Sequence, residues 1–382
     1  MSAAFRTPPR ILHGRGCFAE LGRVAAGLSD KAAVVSGGGS LARAGVIDRA
    51  LGLLAEANVK AVAIDGVRPD PDLAAVDLIR EKLFTSGATV VVSIGGGSVM
   101  DAAKAAAGLA AEDAPAVEFQ QGRSPATAGM PHVAVPTTAG TGAEVTPNAV
   151  ITNPDVPEKK SIRGPGFMPA AAIVDPELLV TLPARATAES GMDALVQAIE
   201  SATSIHATEL TRALSRRAAA LIAEGLPAAV ADGADLDARE KCSTGSLMAG
   251  MALANARLGV VHGLAHPLGA RYGLSHGLVC GVLLPAALRL NAEAAADEYG
   301  VLERVCGVQG FVGETAGERL AAWAESLLAE TGLPTGLARA KIPAGDFAAV
   351  ASASMGSGSL KANPLEITED HLVAILEEVC GG

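Results

Sequence analysis

Residues 89–104 read TVVVSIGGGSVMDAAK and contain the pattern that decides the fold of the first half of the chain. The β-branched run Thr89–Ile94 predicts a buried strand, and it leads directly into the cluster Gly95–Ser98. The alanine-rich segment from Val99 onwards predicts a helix. Glycines at such a junction let backbone N–H groups approach a phosphate, which the positive end of the helix also attracts. A plain strand-to-helix turn would use the same glycines, so this loop alone leaves both interpretations open.

The same alternation of strands and helices runs through the first half of the chain. The other strand candidates are Ala32–Val35, Val59–Asp65, His132–Val135, Ala149–Thr152 and Ala172–Asp175. Helix patterns lie between the early strands, at Arg43–Ala57 and Leu73–Ser86. This order, with nearly continuous apolar strands, predicts a parallel sheet covered by helices on both faces. The strand Ala32–Val35 also ends in glycines, at Ser36–Ser40, and two such loops in one sheet favour a nucleotide ligand.

A third polar loop, residues 136–146, reads PTTAGTGAEVT and follows the strand candidate His132–Val135. Its threonine hydroxyls and glycine amides could hold a ribose or a nicotinamide. A threonine- and glycine-rich surface loop that satisfies its own backbone would look the same.

The character of the sequence changes after Leu182-Pro183, where strand patterns almost disappear. Helix patterns dominate from there, at Ala188–Ser201, Ala207–Glu224, Ala238–Ala256, Pro285–Tyr299 and Glu314–Glu330. We place Pro285 in the first turn of its helix, where a missing N–H costs nothing. The sequence therefore predicts an α/β domain at residues 1–182 and an all-α domain at residues 183–382.

Composition argues against several classes of function. Lys and Arg total 30 against 41 Asp and Glu, a formal net charge of -11, whereas binding to nucleic acid needs a basic field. The five cysteines are scattered without a CxxC pair, which is typical of reduced thiols in a cytosol. The longest uncharged stretch, Ser124–Ala143, is rich in Pro, Thr and Gly, and the N-terminal residues lack the apolar core of a secretory signal. We therefore expect a cytoplasmic protein with neither nucleic acid nor membrane as partner.

The helical half carries a group of polar residues at helical spacing. Asp193 and Gln197 are four residues apart and share a helix face, and His262 and His266 have the same spacing. His276 follows ten residues after His266. A single histidine among apolar helix residues is more often a core residue than a ligand. Three histidines together with a carboxylate indicate a metal site or an acid–base site.

Several motifs together make the sequence recognisable. They are GGGSVMDAAK at 95–104, PTTAGTGAE at 136–144, GMDAL at 191–195, VHGLAHPLG at 261–269 and SHG at 275–277. In this order and spacing they resemble the iron-containing (group III) alcohol dehydrogenase family. The resemblance implies a Rossmann-like α/β domain and an all-α domain, the dehydroquinate synthase-like fold, with the active site in the cleft between them. It also implies an NAD(P)-dependent, metal-assisted oxidoreductase that interconverts an alcohol and an aldehyde or ketone by hydride transfer.

The resemblance implies roles for individual residues. The cofactor pyrophosphate would lie on the Gly95–Ser98 loop, and the cofactor-binding set would be Gly37, Gly95, Gly96, Gly97, Ser98, Asp101, Thr137, Thr138, Thr141 and Thr146. Asp193, His262 and His276 match three family ligands of a divalent ion, Fe²⁺ or Zn²⁺. His266 matches a histidine near the reacting alcohol that could pass its proton to solvent, and Lys160 matches a lysine near the substrate. Members of the family are commonly homodimers or higher homo-oligomers.

Two residues depart from the family pattern. Gln197 stands where the family usually has a further metal ligand, a histidine, and an amide oxygen binds transition metals more weakly than imidazole. We therefore expect Gln197 at the fourth position of a weakly held ion or close to it. Gly37 stands where NAD-preferring members often carry an Asp that binds the ribose 2′-OH and repels a 2′-phosphate. We expect NADP to be accepted alongside NAD.

Three other functions stay open at the level of the sequence. Gln197 favours a metal-independent reductase of the maleylacetate reductase kind, whereas the retained Asp193 argues against it. A dehydroquinate synthase-like lyase shares the fold and also binds NAD and metal, but PTTAGTGAE and HGLAHPLG are closer to the dehydrogenases. A non-catalytic nucleotide-binding protein would have no use for Asp193 and three nearby histidines.

Overall fold

The computed structural model describes residues 4–156 and 158–381. These residues divide into two compact units, an α/β unit over Arg6–Thr181 and a helical unit that begins at Leu182 and also includes residues 4 and 5. The predicted fold class is confirmed: a parallel sheet with helices in the first unit, and helices without strands in the described part of the second.

The strands of the α/β unit are β1 (Ile11–His13), β2 (Lys31–Gly37), β3 (Lys60–Val67), β4 (Val90–Gly95), β5 (His132–Pro136), β6 (Asn148–Asn153), β7 (Glu158–Arg163) and β8 (Ala171–Val174). Six of them form one parallel sheet in the order β1-β8-β5-β4-β2-β3. The remaining two, β6 and β7, form a separate antiparallel hairpin. The predicted strand Ala149–Thr152 is therefore a strand, but it lies outside the main sheet.

The strand order creates a crevice at one point of the sheet edge. From β2 the chain continues outward to β3, whereas from β4 it continues in the opposite direction to β5 and β8. β2 and β4 are neighbours, with Ser36 opposite Ile94 in the register. Ligands of open parallel sheets bind at such a reversal, beyond the carboxyl ends of the strands. Both glycine loops start there, since Gly37 ends β2 and Gly95 ends β4.

The helices of this unit are α1 (Leu21–Ala26), α2 (Ser40–Arg43), α3 (Val46–Glu56), α4 (Leu73–Ser86), α5 (Gly97–Gly108) and α6 (Ala116–Gln120). Every residue of β4 is buried, as the apolar run Thr89–Ile94 predicted. Helices α4, α5 and α6 share one hydrophobic cluster with the sheet residues Ala33, Val35 and Val91. Because α5 is made largely of alanine, it packs closely on the sheet and positions the glycine loop at its N-terminus.

The helices of the second unit are α7 (Ala184–Thr203), α8 (Glu209–Ala231), α9 (Leu236–Ala256), α10 (Val260–Tyr272), α11 (His276–Leu290), α12 (Ala296–Val305), α13 (Ala316–Glu330), α14 (Phe347–Ser354) and α15 (Glu369–Cys380). The buried Arg239 of α9 forms hydrogen bonds at the start of α7, the helix that carries Asp193. Its guanidinium donates to the carbonyl of Leu182 and to Thr187 Oγ1. The capping box of Thr315 and Glu318 fixes where α13 begins.

The predicted helix Pro285–Tyr299 is wrong. Pro285 lies inside α11, and the chain turns between Leu290 and Ala296 before α12 begins. A proline in a helix interior costs about 3 kcal/mol because it removes one hydrogen bond and crowds the preceding turn. Residues Gly277–Leu288 of α11 are all buried, so the apolar surface that the helix removes from water outweighs this local cost.

No single helix among the described residues is long and apolar enough to cross a membrane. One pair of helices, α9 and α10, reaches that length and composition only when taken together, and it is bent by 101°.

Candidate functional site

The glycine loop after β4 is shaped by close contacts. Gly96 has extended backbone and caps α5, which begins at Gly97. A Cβ on Gly95 would lie 2.7 Å from Val99 Cβ, and a Cβ on Gly97 would lie 2.6 Å from Thr141 Cγ2. Larger residues at these positions would force the loop apart. The N–H groups of Val99 and Met100 in the first turn of α5 donate to the carbonyl of Gly96, and an anion is favoured at the helix N-terminus that this turn forms.

The threonine loop after β5 lies directly against this glycine loop. The N–H of Thr137 donates to the carbonyl of Gly95 over 3.0 Å. The methyl group of Thr138 lies 3.1 Å from the position of a Cβ on Gly96. The structure therefore brings the predicted cofactor residues of the two loops together. Gly37 joins them, since a Cβ there would lie 3.3 Å from Val99 Cγ2 at the start of α5.

Two further predicted cofactor residues, Asp101 and Thr146, are engaged by protein groups. Asp101 Oδ2 accepts from the N–H of Val150 over 3.0 Å, and Asp101 Oδ1 lies 3.4 Å from the ammonium of Lys104. Lys104 is fully buried and also donates to Thr146 Oγ1 over 3.3 Å. Burial raises the pKa of Asp101 and lowers that of Lys104, and their mutual attraction opposes both changes. Lys104 therefore ties α5 to the threonine loop, a role that the sequence analysis did not assign.

Two other predicted residues of the α/β unit are the half-buried Ser98 and the exposed Lys160. Ser98 Oγ accepts from the N–H of Asp70 over 3.2 Å. Lys160 lies on β7, is exposed, and lines a cavity of about 370 Å³ together with residues that include Gln120 and Asp155.

The helical unit gathers three of the predicted metal ligands around one carboxylate oxygen. Asp193 Oδ1 lies 3.2 Å from His262 Nε2 and 3.6 Å from His276 Nε2. The close approach of α11 to α7 allows this, because a Cβ on Gly277 would lie only 2.2 Å from the carbonyl oxygen of Glu189. A fourth side chain, Cys280, completes the group: its Sγ lies 3.6 Å from His276 Nε2, and one ligand atom from each of the four lies within 4.8 Å of the others.

Glu200 contacts His262 at Nδ1, the ring nitrogen that does not face Asp193. The sequence alone did not indicate this residue. Its Oε2 lies 2.6 Å from His262 Nδ1, and its Oε1 accepts from the N–H of Val261 over 2.7 Å. This contact assigns the Nδ1 proton to the hydrogen bond with Glu200 and leaves Nε2 to face Asp193. Metal-bound histidines ordinarily show this arrangement. The i,i+7 spacing of Asp193 and Glu200 on α7 was the available sequence indication.

The charges of this cluster perturb one another. Burial alone would raise the pKa of Asp193, but His276 and the hydrogen bond with His262 hold it below its ordinary value. Burial opposes protonation of His262, yet the charges of Cys280 and Glu200 and the hydrogen bond with Asp193 raise its pKa well above the usual one. For His276, burial is likewise outweighed by Cys280 and Asp193. A cation is thus strongly favoured in this group, either as protons or as a metal ion that displaces them.

Gln197 and His266 lie at the margin of the cluster. Gln197 is 3% exposed, and its Nε2 donates to Asp193 Oδ2 over 3.1 Å. Its Oε1 is buried and accepts no hydrogen bond from the residues that the structure describes. The ring of His266 stacks on that of His276 with centroids 5.2 Å apart. His266 is not among the residues whose ligand atoms converge in the described part of the chain.

The donor set fits a divalent transition metal. Metal–ligand distances of 2.0–2.3 Å keep two ligands of one ion within about 4.6 Å of each other. The separations of 3.2 Å and 3.6 Å around Asp193 Oδ1 meet this requirement before any ion is considered. Two imidazoles, a carboxylate and a thiol are ligands of Zn²⁺ and Fe²⁺ rather than of Mg²⁺ or Ca²⁺.

The variant Glu200→Gln tests whether the Glu200 carboxylate helps His262 to bind a metal ion. We expect the affinity for Zn²⁺ to fall by about 10- to 100-fold, as it does when outer hydrogen-bond partners of metal ligands are lost. The measurement is competition with a chromophoric chelator. Glu240→Gln, on the neighbouring helix α9, is the control and should leave the affinity unchanged. Equal affinities in all three proteins would show that Glu200 has no part in holding the ligand.

Comparison with known proteins agrees with the motifs. Residues 8–176 match the family model "Iron-containing alcohol dehydrogenase", and residues 187–380 match "Fe-containing alcohol dehydrogenase family, C-terminal". The chain is 34% identical to 1,3-propanediol dehydrogenase of Klebsiella pneumoniae over 87% of each chain. It is 33% identical to the NAD-dependent methanol dehydrogenase of Bacillus methanolicus over 98% of each. A crystal structure of 1,3-propanediol oxidoreductase superposes with a TM-score of 0.93, at 32% identity, over 99% of this chain and 100% of the other. The chain therefore belongs to the iron-containing alcohol dehydrogenase family and, as its motifs predicted, is an NAD(P)-dependent oxidoreductase that interconverts alcohols with aldehydes or ketones.

Proposed function

We propose that the chain acts on small aliphatic alcohols and aldehydes, and that the convergence of Asp193, His262 and His276 forms its metal site. The observation that carries this proposal is the position of one carboxylate oxygen 3.2 Å and 3.6 Å from two imidazole nitrogens, with Glu200 behind His262. Gln197 lies beside this group and donates to Asp193 Oδ2. Aromatic residues are only 3% of the chain, so no stacking platform favours an aryl or sugar substrate.

The residues of the α/β unit bind and orient the dinucleotide. The amides of Gly96, Gly97 and Ser98 would hold its pyrophosphate at the start of α5. The hydroxyl groups of Thr137, Thr138 and Thr141 would bind its sugar and nicotinamide. Asp101 and Thr146 support the cofactor site indirectly. Both contact the buried Lys104, which joins α5 to the threonine loop.

The residues of the helical unit prepare the reacting oxygen. When bound, the ion supplies Lewis acidity for the carbonyl oxygen, and the nicotinamide supplies or accepts the hydride. His266 exchanges the alcohol proton with solvent through its imidazole ring. We assign Lys160 to the substrate-binding residues, with its ammonium group beside the polar part of the substrate.

An activity panel with metal analysis tests this proposal. Purified enzyme is offered a series of aliphatic and aromatic aldehydes with NADH or NADPH, and oxidation is followed at the absorbance band of the reduced nicotinamide. We expect stoichiometric oxidation with short aliphatic aldehydes and one divalent ion per chain. Product formation without net cofactor oxidation would identify a lyase instead.

The absence of a carboxylate at Gly37 predicts that the enzyme accepts NADPH as well as NADH. Gly37→Asp should lower kcat/KM for NADPH by roughly 10- to 100-fold, because a carboxylate at the end of β2 would repel the 2′-phosphate. The new side chain needs only a small shift, since its Cβ would lie 3.3 Å from Val99 Cγ2 and 3.4 Å from the carbonyl oxygen of Val67. The measurement is kcat/KM for both cofactors, with Gly38→Asp as the control, since nothing lies within 4 Å of its added Cβ. A wild-type enzyme that strongly favours NAD would contradict the prediction.

If His266 transfers protons without binding the ion, its loss should lower turnover and leave metal binding unchanged. His266→Ala should lower kcat by about 100-fold, the usual contribution of a positioned proton-transfer group, and should change the pH profile of kcat. Metal content should stay at the wild-type value because His276 keeps its place on α11. His206→Ala, on the surface of the same unit, is the control. Loss of the bound ion in His266→Ala would make His266 a metal ligand.

We also propose that the protein is cytoplasmic and that it forms a homodimer or a larger homo-oligomer. All five cysteines are unpaired, which suits a reducing compartment. Sedimentation equilibrium of the purified protein tests the oligomeric state, and a mass equal to one chain would contradict it.

A further inference from the structure

We infer that Cys280 is the fourth protein ligand of the metal ion, as a thiolate, and that Gln197 holds Asp193 in position instead of binding the ion. The inference rests on the proposed metal site of Asp193, His262 and His276 and adds to it a ligand of a different chemical type.

The position of Cys280 is that of a ligand. It follows His276 by four residues on α11, so the two side chains share one face of that helix. Its Sγ lies 3.6 Å from His276 Nε2, the same separation that His276 Nε2 keeps from Asp193 Oδ1. Cys280 is fully buried, and its sulfur points into the cluster instead of into the apolar core around α11. Four ligand atoms thus surround one small volume.

The side-chain amide of Gln197 contacts Asp193, so we assign the binding of the metal ion to other residues. Its Nε2 donates to Asp193 Oδ2, the oxygen that does not face the histidines. Turning the amide to present its oxygen would place Oε1 against a carboxylate, which is repulsive. Its Oε1 is buried without a donor among the described residues, and burial of an unpaired acceptor is unfavourable. An unpaired acceptor beside four converging ligands points to a bound group that carries a hydroxyl, either water or the alcohol.

Donor chemistry favours the same ligand set. A Cys280 thiolate is a softer and stronger ligand for a transition metal ion than the neutral amide oxygen of Gln197. Cys280 would then take the place of the ligand that position 197 supplies in other members of the family. Thiolate ligands favour Zn²⁺ over Fe²⁺. We therefore expect tight binding of Zn²⁺ by this chain, despite the glutamine.

Spectroscopy of the whole enzyme tests the ligand directly. The wild-type protein is stripped with a chelator, reloaded with Co²⁺ or Zn²⁺, and its metal content is measured. We expect a thiolate-to-cobalt charge-transfer band in the near ultraviolet, and one sulfur neighbour at about 2.3 Å in the zinc X-ray absorption spectrum. These two readings need no variant. Uptake of metal without a sulfur neighbour would overturn the inference and leave the proposed function standing, whereas absence of any uptake would overturn both.

Matched variants separate Cys280 from Gln197. Cys280→Ser should lose the cobalt band and weaken Zn²⁺ binding by more than about 100-fold. Cys242→Ser, which removes a buried thiol of α9 outside the cluster, should change neither. Gln197→Ala should keep the band and weaken binding by no more than about 10- to 100-fold, the effect of losing an outer hydrogen bond. A band that survives in Cys280→Ser, or disappears in Gln197→Ala, would show that the assignment of the two residues is wrong.

Discussion

Removal of the divalent ion is expected to lower kcat for aldehyde reduction by about 1,000-fold or more. The ion contributes several kcal/mol to stabilising charge on the reacting oxygen, and each 1.4 kcal/mol corresponds to a factor of ten. The measurement is single-turnover oxidation of the reduced cofactor after exhaustive chelation, with metal content determined on the same sample. Restoration of activity by Zn²⁺, Fe²⁺ or Co²⁺ shows that the protein itself is undamaged.

Asp193→Asn should reproduce this loss without a chelator. The amide keeps the shape of the side chain but removes the charge that lies between His262 and His276. Asp370→Asn, an exposed change in α15, is the control and should retain wild-type turnover and metal content. Full activity of the wild-type enzyme with no detectable metal would instead support the metal-independent reductase that Gln197 suggested from the sequence.

Gly97→Leu is expected to weaken binding of NADH and NADPH by at least about 100-fold. A side chain at the first residue of α5 would occupy the space where the pyrophosphate meets the helix amides. Charge-assisted hydrogen bonds contribute about 1.5–3 kcal/mol each, so losing two of them accounts for an effect of this size. The measurement is the cofactor Kd from fluorescence of the reduced nicotinamide.

Two controls separate this effect from damage to the fold. A Cβ on Gly97 lies 2.6 Å from Thr141 Cγ2, so Thr141→Ala alone shows how much the displaced threonine contributes. Gly52→Leu, in α3 with nothing within 4 Å of its added Cβ, should leave the Kd unchanged. An unaltered Kd in Gly97→Leu would show that the pyrophosphate does not lie on this loop.

Most elements of the fold were predictable because their residues carry local patterns. The run Thr89–Ile94 is rich in β-branched residues and supplies most of the fully buried β4, and the predicted helix Leu73–Ser86 has the bounds of α4. By contrast, β1 has only three residues and β7 is rich in charge, so neither has a strand pattern of its own. Both depend on pairing with distant partners, β1 with β8 and β7 with β6.

Pro285 shows where local rules fail. Considered alone, a proline starts or ends a helix, and this local rule predicts Pro285 in a first turn. In the folded chain α11 begins nine residues earlier, at His276, and is buried from Gly277 to Leu288. Burial of apolar surface is a property of the whole helical unit, and a rule about one residue and its neighbours does not include it.

The sequence by itself determined the two glycine loops and the family, because these follow from residue types at short spacings and from motifs in a fixed order. The resemblance to the family in turn supplied the candidate ligands Asp193, His262 and His276. Only the tertiary structure decided which side chains meet. Gly97 lies against Thr141, Glu200 stands behind His262, and Cys280 joins the ligand cluster. Positions 193 and 280 are separated in the sequence by the whole of helices α8, α9 and α10, so no local pattern links them. Their contact exists because α7 and α11 approach closely enough, at Gly277, for a carboxylate and a thiol to share one small volume.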